Sequence, residues 1–442
     1  MHDEIVAAVK AAGVVGAGGA GFPTHIKIDA KVDIVIANGA ECEPLLRAHQ
    51  LIMASQSTKV VLGLKTVMLA TGALRGYIGL KRKYADAVTQ LQTAIKAIGS
   101  QDIELFFLPD IYPAGDEHVL VHEVTGRIVP EGGIPLHVGI VVANVETLIN
   151  IANALEGTPV TDKYVTIGGA VGKPVTLKVP IGMKIEELIT LAGGPLVKPY
   201  AVIDGGPMMG KLITADAPVT KTTGGILVLP MDHSLVTQRN TTWQMIVNRA
   251  KAVCCNCLAC SEACPRNLLG HSLEPHRIMQ AIGHGKPDSE VLSQALLCSE
   301  CGACDTFACT MGLSPRRVNS ELKKQFAKAG IKNTHHNKPE AVRSHREYHL
   351  IPTKRLTARL GLSQYDVKAP LSTAEIVTKE VRLLLSQHLG APAQAIVKVG
   401  DIVTKGDLIG KIPDGVAVSA NVHASISGQI VSVDDSIGIQ MV

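Results

Sequence analysis

Aromatic side chains are scarce, 3% of 442 residues with a single Trp. Single-stranded nucleic acid is held by stacking bases on such rings, so no nucleic-acid partner is expected. An excess of one charge is missing too. The formal net charge of +4 gives no reason for a polyanionic partner. Long apolar runs are also absent. The richest stretch, Val138 to Leu155, is broken by Asn144, Glu146 and Asn150. It reads as buried strand and helix, and no transmembrane segment is expected. The opening Met1-His2-Asp3-Glu4 is acidic where a secretory leader would be basic. A cytoplasmic chain is therefore expected, with thiols suited to a reducing compartment. Hydrophobic content of 46% and charged content of 19% suit a globular protein. The length predicts about two to four domains.

What is present is concentrated. Of ten cysteines, all but Cys42 lie between Cys254 and Cys309. One run is Cys254-x2-Cys257-x2-Cys260-x3-Cys264-Pro265, and the other is Cys298-x2-Cys301-x2-Cys304-x4-Cys309. The first has the bacterial ferredoxin spacing, in which three close thiolates hold one [4Fe–4S] cubane and the fourth serves a second. Two clusters are expected. One would use Cys254, Cys257, Cys260 and Cys309. The other would use Cys298, Cys301, Cys304 and Cys264. Structural zinc explains CxxC pairs but not the third Cys followed by Cys-Pro. A disulfide framework belongs to small secreted domains. Run two has Thr310 in place of the Pro and one extra residue before Cys309, so its last loop should differ. Cys255 is surplus to the eight. Cys42 reads as a packed small residue, the usual state of a free Cys.

The first 150 or so residues alternate strand and helix patterns, such as a strand from Asp33 to Ala37 and a helix from Ala85 to Ile98. That pattern argues for an α/β domain. From Val160 the chain is strand-rich around one helix. Tyr164–Ile167 and Val175–Val179 pair as a hairpin, and Ile185 to Ala192 is a helix stopped by Gly193-Gly194. This is a β-grasp layout. Thr241 to Leu322 is helical and carries the cysteines. Lys323 to Pro370 is basic, His-rich and weakly patterned, and reads as a linker with a solvated face. His335-His336 is a weak metal signal without Cys or carboxylate neighbours. Residues 371–442 read as all β, with strands at Ile396–Lys398, Leu408–Ile412 and Gly428–Val433. The stretch Val399 to Gly410 resembles the lipoyl/biotinyl barrel-sandwich fold. The hairpin that bears the carrier Lys there is Asn421-Val-His-Ala-Ser-Ile-Ser427 here, with no Lys. A structural or docking role is expected, not a swinging arm.

A second constellation is Gly16-Ala-Gly-Gly-Ala-Gly-Phe-Pro-Thr24. Glycines at 16, 18, 19 and 21 let backbone N–H groups close on a phosphate. A GxGxxG count fits, but no strand precedes it, so a Rossmann fingerprint is not supported. The longer string continues as Asn38-Gly-Ala-Glu41-Cys-Glu43-Pro44, Tyr112-Pro-Ala-Gly-Asp-Glu117, Gly126-Arg127 and Asn144-Val-Glu-Thr147. It resembles the FMN and NADH site of the complex I flavoprotein subunit, and more closely the RnfC family of electron-transfer flavo-iron-sulfur proteins.

The resemblance implies a residue-by-residue site. Gly16, Gly18, Gly19, Gly21, Phe22, Pro23, Thr24 and Lys27 would hold the flavin phosphate and ribityl chain. Asn38 and Glu41 would line the isoalloxazine, and Glu43 of the same motif would be cofactor-binding. Gly115 and Glu117 would sit on the nicotinamide face, Tyr112 of the same motif would be cofactor-binding, and Asn144 and Thr147 would close the phosphate end. Complex I has an Asp where Ala40 stands, so one flavin hydrogen bond differs. No acid–base dyad is nominated as catalytic.

In RnfC the barrel-sandwich lies at the N-terminus. Here it lies at the C-terminus, an order shared with the PduS-type cobalamin reductases of propanediol-utilisation microcompartments and with PrdC-type proteins of proline reductase systems. Also PduS-like are Cys264-Pro-Arg-Asn-Leu-Leu-Gly-His271, Glu274-Pro275-His276, Ser314 to Asn319, Lys354 to Ser363, and Gln387 to Ala391. The fold class implied is multidomain α/β. An FMN/NADH domain (1–157) precedes a β-grasp SLBB domain (158–235), a helical ferredoxin domain with two [4Fe–4S] clusters (240–322), the basic linker (323–370) and the barrel-sandwich (371–442). The activity implied is an NADH-dependent oxidoreductase, with a hydride passing to FMN and single electrons passing through two clusters to cobalamin. Partners implied are NADH, cobalamin or a partner reductase or adenosyltransferase, and microcompartment shell proteins. The alternatives are a relay subunit of the PrdC kind and an RnfC-like subunit of an ion-translocating complex.

Overall fold

The computed structural model describes residues 1–285 and 288–442. Four strands form its first sheet: β1 (Ile34–Gly39), β2 (Arg75–Lys81), β3 (Ile103–Leu108) and, after the short β4 (Ile111–Tyr112) outside the sheet, β5 (Ile140–Asn144). Their order is β3-β2-β1-β5 and every pair is parallel. Val35, Ile36, Ala37, Val141 and Val142 are buried, as central parallel strands must be when helices cover both faces. The helices are α1 (His2–Ala11), α2 (Thr24–Ile28), α3 (Ala48–Ser55), α4 (Ser57–Thr71), α5 (Ala85–Ile98), α6 (Glu117–Thr125) and α7 (Val145–Leu155). The chain steps from β1 outward through β2 to β3, then returns to the other side of β1 as β5. Strand order therefore reverses between β1 and β5, the place where open α/β sheets bind ligands, at the strands' carboxyl ends.

The next unit has β6 (Asp162–Gly169), β7 (Val175–Pro180), α8 (Ile185–Leu191), β8 (Tyr200–Asp204), β9 (Lys211–Ile213) and β10 (Gly225–Pro230). The sheet order is β7-β6-β10-β8-β9, with β6 and β10 parallel and the rest antiparallel. Ile185, Leu188 and Ile189 bury one face of α8 on it. A helical unit follows: α9 (Ser234–Asn240), α10 (Trp243–Val253), α11 (Ala259–Glu262), α12 (Pro265–Leu268), α13 (Pro275–His284), α14 (Ser289–Ser293) and α15 (Pro315–Lys328). Pro opens α12, α13 and α15, where its missing N–H is no loss. Ile246 and Ala250 of α10 share a core with Ile278 and Met279 of α13.

The segment 323–370 is more than a solvated linker. It begins inside α15, then β11 (Ile351–Pro352) pairs antiparallel with β4. Helix α16 (Thr353–Arg359) follows, and Ile351, Leu356, Leu360 and Leu362 are all buried. Leu356 and Leu360, four apart in a basic stretch, form the stripe that docks it. His335 is hydrogen-bonded to Ser293 Oγ at 2.9 Å. The C-terminal unit is β12 (Glu380–Leu384), β13 (Gln394–Ala395), β14 (Ile402–Val403), β15 (Leu408–Lys411), β16 (Val422–His423), β17 (Gly428–Val433) and β18 (Ser436–Gln440). Its two sheets run β12-β18-β17-β14 and β13-β15-β16. The strand expected at Ile396–Lys398 is displaced to Gln394–Ala395. Lys398 N–H instead donates to Asp401 Oδ2 at 2.9 Å and the chain turns there. Among the described residues, no helix is long and apolar enough to cross a membrane.

Candidate functional site

The switch point collects the flavin candidates. Asn38, next to last in β1, lies directly beside Asn144 at the end of β5. Asn144 caps α7, accepting from Glu146 N–H at 2.9 Å. The glycine loop is closed at its base by the Val15–Pro23 bridge and by Gly16 N–H donating to Phe22 O at 3.0 Å. Its tip lies over Asn144: a Cβ on Gly18 would stand 2.3 Å from the Asn144 amide nitrogen, so a larger residue would have to displace the Asn144 side chain. Ala17 N–H donates to Thr147 Oγ1 at 2.9 Å. Gly21 has φ +72°, and its carbonyl accepts from Leu389 N–H of the C-terminal unit at 3.2 Å.

Opposite the loop, Lys27 and Glu117 form an ion pair at 2.8 Å. Asn38 Nδ2 donates to Gly115 O at 2.9 Å. A Cβ on Gly115 would stand 3.3 Å from Cys42 Sγ and 3.4 Å from Ala40 Cβ, so these residues form one close-packed wall. Burial pushes the Cys42 thiol up to about 11, the state of a packed, unreactive residue.

Three candidates turn elsewhere. Glu41 accepts from His49 N–H at 2.9 Å and Gln50 N–H at 3.2 Å, neutralising free amides at the start of α3. Glu43 accepts from Met208 N–H at 2.9 Å and Met209 N–H at 2.8 Å, tying the first domain to the β-grasp. Burial raises its pKa, opposed by those two N–H groups and by Arg239 and Arg316. Tyr112 Oη donates to Cys301 O at 2.5 Å.

Several residues that hold the site carry no sequence signal. Lys163, on β6, is buried, pairs with buried Glu146 and donates to Ala17 O at 3.1 Å. Lys221 bridges Gly13 O at 2.7 Å and Asn421 O at 2.6 Å, and burial lowers it to about 7. Asn421 opens the segment that bears the carrier Lys in lipoyl domains. Val422, His423, Ala424 and Ser425 after it are buried, and Ser425 Oγ donates to Ile181 O at 2.5 Å. That segment is a clamp between domains.

The cysteine runs repeat one turn. Asn256 and Leu258 in the first, and Glu300 and Gly302 in the second, occupy the same two places and all have positive φ. The extra residue of run two is absorbed in a π-helical turn, Ala303–Phe307, with Ala308 N–H donating to Ala303 O at 3.0 Å. Cys260 lies among Cys309, Cys254 and Cys257, and Cys304 among Cys298, Cys301 and Cys264. Burial, then mutual repulsion, pushes the Cys260 thiol up to about 12. Thiolates in such a place need a cationic core to stabilise them. Cys298 Sγ and Cys309 Sγ each accept a backbone N–H at 3.3 Å. A small cavity is lined by Cys264, Cys298, Cys301, Cys304 and Asn319. The buried Asn319 amide has no hydrogen-bond partner within the protein. Among the described residues, no three ligand-type side chains are spaced to hold a single metal ion. A cubane spreads its thiolates over four irons, and an orphaned amide facing four thiols fits such a cluster.

The fold and sites define a flavo-iron-sulfur oxidoreductase. Residues 9–153 match the Nuo51 FMN-binding domain, 164–212 the SLBB domain, 253–314 the 4Fe-4S dicluster domain and 361–440 the RnfC barrel sandwich hybrid domain. The chain belongs to the PduS cobalamin reductase family. It is 45% identical to the cobalamin reductase PduS of Salmonella typhimurium over 98% of this chain and 95% of that one. It is equally identical to that of Citrobacter freundii, over 95% and 92%. A component of the Na(+)-translocating ferredoxin:NAD(+) oxidoreductase complex of Acetobacterium woodii is 40% identical over 60% of this chain and 58% of its own. In fold alone, the chain resembles an NAD+-reducing [NiFe]-hydrogenase in its H2-reduced state. That match has a TM-score of 0.52 at 21% identity, covering 75% of this chain and 63% of that one.

Proposed function

We propose that this chain is an NADH-dependent cobalamin reductase with FMN and two [4Fe–4S] clusters. The observation that carries the reading is one chain that holds a glycine loop at an α/β switch point and two four-cysteine sets, with buried contacts from the first domain to the Cys264–Cys301 side. Near-full-length identity to PduS proteins supports cobalamin as the acceptor. When bound, FMN accepts a hydride and releases electrons singly, and each cluster carries one.

The chain's own groups do the rest. Gly18 leaves room for backbone approach, while Thr147 and Lys163 hold Ala17 in place. Lys27 supplies positive charge for a phosphate, and Glu117 is its partner across the site. Cys254, Cys257, Cys260 and Cys309 would ligate one cluster, and Cys264, Cys298, Cys301 and Cys304 the other. The domains 1–157, 158–235, 240–322 and 371–442 carry flavin, β-grasp, cluster and clamp roles. An adenosyltransferase and a microcompartment setting fit this chemistry.

Anaerobically purified protein should contain one flavin and about eight irons per chain, and should form cob(I)alamin on NADH addition. Full loading without cobalamin reduction, even with a partner set supplied, would leave the relay reading that the ion-translocating relatives favour.

A further inference from the structure

The segment Tyr112 to Glu117 touches both cofactor regions. Toward the flavin candidates, Gly115 O accepts from Asn38 and Glu117 pairs with Lys27. Toward the cysteines, Tyr112 Oη donates to the carbonyl of Cys301 at 2.5 Å. Asp116, between Gly115 and Glu117, caps α6 by accepting from His118 and Val119 N–H. The same Asp116 Oδ1 accepts from Arg266 Nη1 at 2.5 Å. Arg266 stands two residues beyond Cys264 and is 8% exposed. Besides Asp116, the groups that act electrostatically on its guanidinium are Cys301 and Cys264. The two cysteine sets differ in depth. Cys264, Cys301 and Cys304 are buried and Cys298 is half-buried. In the other set Cys257 is exposed, and Cys254, Cys260 and Cys309 are half-buried.

We propose that Arg266 is a positioning residue that locks the Cys264–Cys298–Cys301–Cys304 set against segment 112–117, making it the flavin-side cluster and leaving the Cys254–Cys257–Cys260–Cys309 set as the solvent-side exit. This rests on the flavin and two-cluster reading above. With flavin and both clusters bound, the inner set would receive electrons from the flavin side and the outer set would deliver them to the acceptor at the exposed face. A buried cation beside a cluster stabilises its more negative, reduced form. Asp116 moderates that cation.

The test is an EPR redox titration of the holoprotein. Cys304→Ala and Cys257→Ala assign one signal to each set. In Arg266→Gln the Cys304-dependent signal should shift down by at least tenfold in its reduction equilibrium, about 59 mV for one electron. The Cys257-dependent signal should stay in place. Arg266→Lys, which restores the charge, should recover most of the shift. Asp116→Asn, which leaves the cation unopposed, should shift the same signal upward, a sign change that a merely structural contact would not produce. If Arg266→Gln does not fold, Asp116→Asn alone decides: no upward shift overturns the proposal. Freeze-quench after NADH addition should show the Cys304-dependent signal first. A Cys257-dependent signal that moves instead, or appears first, overturns the assignment. Wild-type protein lacking flavin or a second signal overturns the underlying reading, and is recognised before any variant is made.

Discussion

Replacing Lys163 with Met removes one half of a buried charge pair and one support of the glycine loop. Lys163 and Glu146 are each 2% exposed. Glu146 also accepts from Tyr164 N–H at 3.0 Å. Stranding its carboxylate should cost about 3–5 kcal/mol. Glu146→Gln/Lys163→Met removes both charges and keeps an acceptor for Tyr164. That double variant should regain most of the loss, ending within about 2 kcal/mol of wild type. Flavin binding should not follow. The bond from Lys163 to Ala17 O stays broken in the double variant. A charged donor contributes about 1.5–3 kcal/mol, so flavin should dissociate roughly 10- to 100-fold more readily. Urea midpoints and flavin fluorescence titrations separate the two effects. A double variant as unstable as the single one would refute the charge-pair reasoning. One with wild-type flavin affinity would refute the loop support.

Three further outcomes are expected. Cys257→Ala should lose about half the iron and block electron delivery to the acceptor while NADH still bleaches the flavin; loss of flavin bleaching would show the two regions to be inseparable. Glu117→Ala should raise the apparent KM for NADH more than it loosens flavin, and the opposite split would move Glu117 off the nicotinamide face. His423 is held down to about 4 by burial and then by the Lys221 charge. The unfolded chain therefore binds more protons between about pH 6.5 and 4, and stability falls as pH drops through that window, by about 3 kcal/mol in all. His423→Phe should flatten the pH dependence of the unfolding midpoint there, and an unchanged slope would exclude this source.

Elements with a strong local pattern are legible in the sequence. The helix Ala85–Ile98 has its apolar residues at helical spacing and forms over those bounds. The hairpin of β6 and β7 alternates as a strand pair should. The region from Lys323 is not legible, because basic residues mask its few apolar ones. Ile351, Leu356, Leu360 and Leu362 mark its docking, and a pattern that sparse has no meaning until β11 finds β4. In the site, glycine positions are legible because backbone approach needs them. Carboxylates are not: Glu41, Glu43 and Glu117 look alike in sequence, yet one steadies a helix start, one bridges domains and one meets Lys27.

By itself, the sequence determined the chemistry available: thiols at cubane spacing, a glycine loop, no carrier Lys and no long apolar span. These are local properties, because ligand spacing and backbone freedom act over a few residues. Only the tertiary structure decided which parts face each other. It placed the glycine loop against Asn144, buried Lys163 and Lys221 beneath it, and carried Asp116 to Arg266 across 150 residues of chain. Such contacts form when a buried charge must find a partner on folding, and nothing in either residue's own neighbourhood names the other.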